Sequence, residues 1–151
     1  MKSFLPILIL TLAVVIAPVL AMRPSPRQAQ LARLRASATR QGLQVRVDIA
    51  ATRAGHADYV LPWRIDERPA VRTRRFSFER EGDSGWHPGG AERGAAGLMK
   101  LLPRDLPGGV QALRSSADGL VVRWNERGSE ADVTRIAQAL RALREALDVP
   151  N

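Results

Sequence analysis

An uncharged stretch at the start of the chain constrains the protein more than any other feature. The residues from Ser3 to Met22 carry no charge, and most of them are Leu, Ile, Val or Ala. A helix needs about 20 such residues to cross the hydrocarbon core of a bilayer. Pro6 falls in the first turn and Pro18 in the last, so neither prevents a span. The sequence therefore predicts a transmembrane anchor over residues 1–22.

The charges that flank this stretch predict its orientation. Lys2 precedes it, whereas a series of arginines follows closely: Arg23, Arg27, Arg33, Arg35 and Arg40. Positive charge is retained on the cytoplasmic side of a membrane, so we expect the following domain to be cytoplasmic. Basic side chains near an anionic leaflet each contribute about 1 kcal/mol to binding. These arginines are therefore candidate contacts to anionic phospholipid.

A cleaved secretory signal is the alternative interpretation of the same stretch. Lys2 is a minimal basic segment, Pro18 breaks the helix, and Val19-Leu20-Ala21 places small or apolar residues where a signal peptidase cuts. Against this interpretation, the apolar run exceeds the roughly 7 to 15 residues of a signal core. Cleavage after Ala21 predicts a secreted or periplasmic small binding domain.

Composition excludes several kinds of chemistry. The chain has no cysteine, which excludes disulfides, thiolate metal sites and cysteine nucleophiles, and its two histidines exclude a His-rich metal site.

The net charge of +8 is concentrated near the stretch described above, with thirteen Arg against six acidic residues over residues 23–81. Nucleic-acid binding is disfavoured, because the basic residues Arg72, Arg74 and Arg75 lack an aromatic platform for bases.

A basic helix is predicted immediately after the anchor. Ser25-Pro26 supplies an N-cap and a first-turn proline, and Gly42 supplies a terminator, so residues 27–41 should be helical. Leu31, Leu34 and Ala38 form its apolar stripe, and arginines occupy the remainder. The pattern predicts a juxtamembrane basic amphipathic helix within residues 23–42 that rests on the membrane or on the domain.

The remaining residues, 43–151, are predicted to form a single α+β domain. Period-two alternation indicates a small antiparallel sheet of about five strands, near residues 43–49, 59–65, 71–80, 110–114 and 120–125. Pro62 should confine the second strand to an edge or a bulge. Ser129 and Asp132 start a long C-terminal helix whose core-facing stripe is Val133, Ile136, Leu140, Leu143 and Leu147.

A glycine-rich segment separates the two halves of the predicted sheet. Residues 82–97 hold six glycines and one proline, which predicts a long loop that carries Trp86 and His87. A helical turn should follow over residues 98–102. Trp86 either packs against the core or is exposed for binding a partner, and it is the candidate partner-binding residue.

Catalytic and metal sites are not predicted. Gly82-Asp83-Ser84-Gly85 is similar to the string around the nucleophile of trypsin-like proteases, but only 27 residues lie between His56 and Ser84, and no scaffold converges a triad. A small hydrolase that uses His56, Asp83 and Ser84 stays an alternative that needs their side chains to meet. His56 with Asp58, or His87 with Asp83, supplies two metal ligands where a site needs three or four. We predict no cofactor.

The sequence around the end of the apolar stretch resembles known membrane proteins. Met22-Arg23-Pro24-Ser25-Pro26-Arg27-Gln28 and the following Leu31-Ala32-Arg33-Leu34-Arg35 are similar to uncharacterised single-span inner-membrane proteins of proteobacteria. The junction also resembles that of YajC, an accessory subunit of the Sec translocase. The resemblance implies a single-span inner-membrane protein, with a translocase-accessory role as one alternative. We expect a non-enzymatic interaction or accessory module with a membrane-protein partner.

Overall fold

The computed structural model describes residues 4–21, 25–47, 55–66, 71, 74–80, 85–89 and 95–148 of the chain. The chain divides into two compact units, Met1–Ala32 and Arg33–Asn151. The second unit contains a β-sheet and the C-terminal helix, so the predicted α+β class is confirmed.

The first helix, α1, spans Phe4–Ala21. Its large apolar side chains within residues 6–16 are exposed, from 41% for Ile16 to 67% for Leu10. The prediction of a helix in this stretch is confirmed. Among the residues that the structure describes, no helix meets the length and apolarity needed to cross a membrane.

The second helix, α2, spans Pro26–Arg40, close to the predicted residues 27–41. The Gln28 backbone N–H donates to the Ser25 hydroxyl at 3.2 Å, and the Ser25 N–H donates to the Gln28 side chain at 2.9 Å. This reciprocal capping begins the helix. Gly42 adopts a φ of 77°, and the Leu43 N–H donates to the Ala38 carbonyl, which ends it. Of the predicted apolar stripe, Leu34 and Ala38 are buried and Leu31 is half-buried.

Six antiparallel strands form one sheet in the described part of the chain. They are β1 Gln44–Arg46, β2 Ala57–Pro62, β3 Ser77–Arg80, β4 Trp86–Pro88, β5 Val110–Ser115 and β6 Gly119–Trp124. Their spatial order is β1-β2-β6-β5-β3-β4. The prediction of about five strands therefore missed β4. Two of the predicted strands are also shorter than expected, because β1 ends at Arg46 and β3 begins at Ser77.

The predicted edge position of the second strand is wrong. β2 lies between β1 and β6. The β1 pairing stops at Val60, which faces Gln44, whereas Pro62 pairs with Gly119 on β6. At Pro62 the strand therefore has a neighbour on one side in the described residues, and its missing N–H breaks no ladder bond there. The proline is tolerated because β1 is short.

The prediction that residues 82–97 form one long loop is also wrong. Residues 86–88 form β4, and Ala95–Leu98 form a short helix, α3. The Gly89 N–H donates to the Ser77 carbonyl at 2.8 Å, and a Cβ at Gly89 would lie 2.8 Å from the Ser77 hydroxyl. This glycine permits close strand pairing rather than a loop. Residues 90–94 and most of 81–85 lie outside the described residues.

The C-terminal helix, α4, spans Glu130–Asp148 and covers one face of the sheet. The Ser129 N–H donates to the Asp132 carboxylate at 2.8 Å, so the predicted start of the helix is confirmed. The predicted apolar stripe is buried, and α4 packs on the central strands β2 and β6. A 3₁₀ turn at Met99–Leu101 follows α3, where a helical turn was predicted. The domain is thus a two-layer arrangement of sheet and helices.

Candidate functional site

The predicted lipid-facing arginines do not share one environment. Arg23 lies outside the described residues, and Arg27 and Arg33 are exposed on α2. Arg35 forms an ion pair with Glu126, and Arg40 forms one with Glu130. These two arginines are therefore bound to carboxylates of the α+β domain. Contact with phospholipid stays a prediction for the whole set.

Arg35, Tyr59 and Glu126 form a buried polar group, which we call the Glu126 cluster. Glu126 is 3% exposed and has a φ of 53°, in the left-handed region that side chains other than glycine rarely adopt. The Arg35 guanidinium donates to both carboxylate oxygens, at 2.9 Å from Nε and 2.7 Å from Nη2. The Tyr59 hydroxyl donates to Oε1 at 3.1 Å. A bidentate pair of this kind is among the stronger hydrogen-bonded contacts in proteins.

The electrostatics of the Glu126 cluster reinforce this geometry. Burial, followed by the negative charge of Glu126, raises the pKa of the Tyr59 hydroxyl, so the phenol stays protonated as a donor. The hydrogen bond to Glu126 raises the pKa of the Arg35 guanidinium. The Tyr59 ring meets Trp124 edge-on at a centroid distance of 5.6 Å. The Glu126 cluster therefore fastens the second half of α2 to the sheet.

A second charged cluster lies on β2, β5 and β6. Asp58 is almost fully buried and accepts hydrogen bonds from Arg114 and, at 2.9 Å, from Arg123. His56 is half-buried near the start of β2. Within the described residues, no group of three or more His, Asp or Glu side chains is placed to hold a metal ion. Asp58 therefore links β2 to β5 and β6 through two arginines.

Two of the three residues of the hydrolase alternative lie outside the part of the chain that the structure describes. Asp83 and Ser84 lie outside the described residues, and His56 is described. His87 is exposed on β4, where it pairs with Glu79 of β3. That alternative stays a prediction.

Trp86, the predicted partner-binding residue, lies on the terminal strand β4 rather than on a loop. It is half-buried and packs against the edge of the hydrophobic core. Around it opens a cleft of about 370 Å³, which we call the Trp86 cleft. Its lining consists of apolar residues, one glycine and three cations: Arg80, Gly85, Trp86, Met99, Lys100, Leu102, Pro103 and Arg104. None of these described lining residues is acidic.

The Trp86 cleft borders a larger groove on the helical layer. Pro103 and Arg104 line both. The second groove has a volume of about 660 Å³ and lies between residues 103–106 and one side of α4 that includes Arg135 and Ala139. Sequence reasoning singled out Trp86 but missed residues 99–104. The available sequence signal was an apolar run, Leu98-Met99-Lys100-Leu101-Leu102, that contains a lysine and is followed by Arg104. In the structure Met99 and Leu101 are 40% and 39% exposed.

Comparisons with protein-family models, with curated proteins and with solved structures found no match to this chain. The description of the fold and of the Trp86 cleft therefore depends on the structure of this chain alone. They define a two-layer α+β domain that follows an apolar helix. The Trp86 cleft offers cations beside an aromatic ring and a thioether, which suits the binding of an anionic, partly apolar group.

Proposed function

We propose that this protein is a non-enzymatic interaction module, held at the cytoplasmic face of a bacterial inner membrane by its N-terminal apolar segment. The Trp86 cleft is the surface offered to a membrane-protein partner. The observation that carries the proposal is the exposure of the apolar side chains of α1.

A helix that is apolar on all sides requires a cover outside water. In α1, Leu8, Ile9 and Leu10 are exposed by 62%, 60% and 67%, and successive residues of a helix point about 100° apart around its axis. A lipid bilayer covers all sides of a helix at once, whereas a single protein partner covers one. This favours lipid as the environment of α1.

The uncharged apolar stretch is long enough in sequence for a membrane span. A helix needs about 20 apolar residues to span a membrane. The uncharged stretch extends from Ser3 to Met22, which reaches that length. Arginines at positions 23, 27 and 33 follow it, and their positive charge favours retention on the cytoplasmic side.

The connection between the apolar segment and the α+β domain is short in sequence. Four residues, 22–25, separate the end of α1 from the start of α2. The second half of α2 is fastened to the domain by the Glu126 cluster. A short tether raises the effective concentration of a binding surface near membrane partners, so that even a weak contact becomes significant.

Topology is tested by fusing the C-terminus of the full chain either to alkaline phosphatase or to a fluorescent protein that matures only in the cytoplasm. We expect a fluorescent, phosphatase-negative protein in the membrane fraction. The variant Leu10→Arg should leave the membrane fraction, because a charge at the centre of a span is strongly unfavourable. Leu10→Ile is the matched control and should stay.

The secretory interpretation predicts a different set of results. Phosphatase activity with a shortened, soluble product, whose intact mass corresponds to a chain that starts at Met22, would show that the segment is a cleaved signal and not an anchor. Phosphatase activity of a full-length membrane protein would instead reverse the orientation. Either result contradicts the proposed cytoplasmic placement.

A further inference from the structure

We propose that the Trp86 cleft binds an acidic, extended segment of a partner protein, which adds to the edge of the sheet along β4. The inference names the partner class for the surface in the proposed function and rests on that function for its biological setting. Three properties of the cleft carry it: charge, apolar surface and a strand edge.

The charge of the cleft selects an anionic occupant. Arg80, Lys100 and Arg104 line it, and no acidic residue stands among its described lining residues. Cations that are clustered beside a partly apolar surface attract carboxylates and repel basic segments. Because these side chains lie near solvent, the attraction should weaken as salt increases.

The apolar surface of the cleft gives the occupant a second contact. Trp86 is half-buried, and Met99 is 40% exposed beside it. Tryptophan is enriched among residues that dominate binding energies, and methionine adapts its shape to different apolar side chains. An occupant that combines carboxylates with one or two apolar side chains therefore matches the lining.

The backbone of β4 offers the third contact. β4 is the last strand of the sheet in the described residues. The bond from the Gly89 N–H to the Ser77 carbonyl sets the alternation of the ladder between β3 and β4. In that alternation the backbone groups of Trp86 face away from β3, toward the sheet edge. An extended segment can pair with such an edge.

Pro88 limits how far this pairing extends. Proline has no N–H to donate, and β4 comprises residues 86–88. A short edge that carries a proline resists uncontrolled strand addition. Specificity must then come from the adjoining side chains of the cleft. A lipid headgroup offers the charge but has no peptide backbone to pair with Trp86, so a protein segment satisfies more of these groups.

The test uses the full chain in neutral-detergent micelles and a fluorescein-labelled eight-residue peptide that alternates glutamate and valine. Fluorescence anisotropy should show saturable binding that weakens with salt. The double variant Lys100→Glu/Arg104→Glu should weaken binding by about tenfold or more, a loss of roughly 1.4 kcal/mol per tenfold. Arg74→Glu/Arg127→Glu makes the same change in net charge on exposed residues outside the cleft and should bind normally.

Two further comparisons separate the contacts within the cleft. Trp86→Phe keeps an aromatic ring at the core edge and should weaken binding several-fold, with the thermal unfolding midpoint measured alongside. A peptide with proline in place of each valine keeps the charge but removes backbone donors, and it should bind at least severalfold more weakly. The lysine–valine peptide should not bind.

Several outcomes overturn the inference. Equal losses in the two charge-reversed double variants would show that only net charge matters. Equal binding of the proline peptide would remove the strand-pairing step. Binding of phosphatidylglycerol vesicles that depends on Lys100 and Arg104, without peptide binding, would assign the cleft to lipid. None of these results depends on membrane topology, so failure of the anchor and failure of this inference are distinguishable.

Discussion

The helices α1 and α4 have nearly the same length, 18 and 19 residues, but opposite relations to their surroundings. α4 is apolar along one face, and that face is buried against the sheet. α1 is apolar on all sides, and its described large side chains are exposed. A helix with one apolar face buries that face against the core of its own domain. A helix that is apolar on all sides needs apolar surroundings on all sides. The apolar surface of α4 thus lies inside the domain, whereas the described apolar side chains of α1 are left exposed.

Removing the same side chain from each helix tests this contrast most strongly. Leu140→Ala in α4 should lower the free energy of unfolding by about 3 kcal/mol, because a fully buried leucine leaves a cavity. Leu10→Ala in α1 should leave the unfolding midpoint of the domain unchanged. Denaturant unfolding of the full chain in neutral micelles, followed by tryptophan fluorescence, measures both. Equal shifts in the two variants would contradict the division into two units.

The boundary between the two regions falls within α2, and arginine substitutions locate it. Arg35→Ala should lower the free energy of unfolding by roughly 2 to 3 kcal/mol, because Glu126 then stays buried without its guanidinium partner. Arg27→Ala, in the first turn of the same helix, should have no measurable effect. Arg35→Lys should recover part of the loss, since an ammonium keeps the charge without the bidentate geometry. A large effect at Arg27 would move the boundary toward the N-terminus.

The Tyr59 hydroxyl tests the other hydrogen bond of the Glu126 cluster. Tyr59→Phe removes a donor to Glu126 and should lower the free energy of unfolding by about 1.5 kcal/mol near neutral pH. The chain has one tyrosine, so its titration is isolated.

The pH dependence of that variant has a definite sign. Because folding raises the pKa of Tyr59, the unfolded chain loses this proton above about pH 10 while the folded protein keeps it. The stabilising contribution is therefore complete below about pH 10 and is lost as the pH rises from there toward the folded pKa. Wild-type stability should fall more steeply than that of Tyr59→Phe in this range. Parallel alkaline profiles from denaturant unfolding would show that Tyr59 ionises as freely as in the unfolded chain.

The smallest effect is expected at the outer ion pair of α2. Arg40 is 71% exposed and Glu130 is 51% exposed, so solvent screens their attraction. Arg40→Ala should change the free energy of unfolding by less than about 0.5 kcal/mol. The unfolding midpoint in low and in high salt checks this. A loss comparable to that of Arg35→Ala would mean that exposure does not separate the two pairs.

Elements with strong local patterns were predictable from the sequence. Gly42 and the pair Ser129 and Asp132 marked the end of α2 and the start of α4, because capping depends on neighbouring residues. The failures have a common cause. β4 is three residues long, too short for an alternating pattern, and the position of Pro62 depends on where the separate strand β1 ends. Neither is visible in a local window.

The candidate site shows the same limit. Trp86 could be singled out because tryptophan is scarce and commonly binds partners. Its place at the sheet edge, and the cations that surround it from residues 80 and 100–104, could not. Arg35 and Glu126 are 91 residues apart in the sequence, so no pattern links them.

The sequence by itself determined the uncharged apolar segment, the basic residues that follow it, the one-sided stripe of α4 and the α+β class. These properties arise from charge, hydropathy and periodicity, which act over a few neighbouring residues. Only the tertiary structure decided which arginines of α2 bind carboxylates, how β2 and β6 came to lie side by side, and what surrounds Trp86. Those outcomes depend on contacts between residues that are far apart in the sequence. Such contacts form only when folding buries the apolar faces and brings opposite charges together.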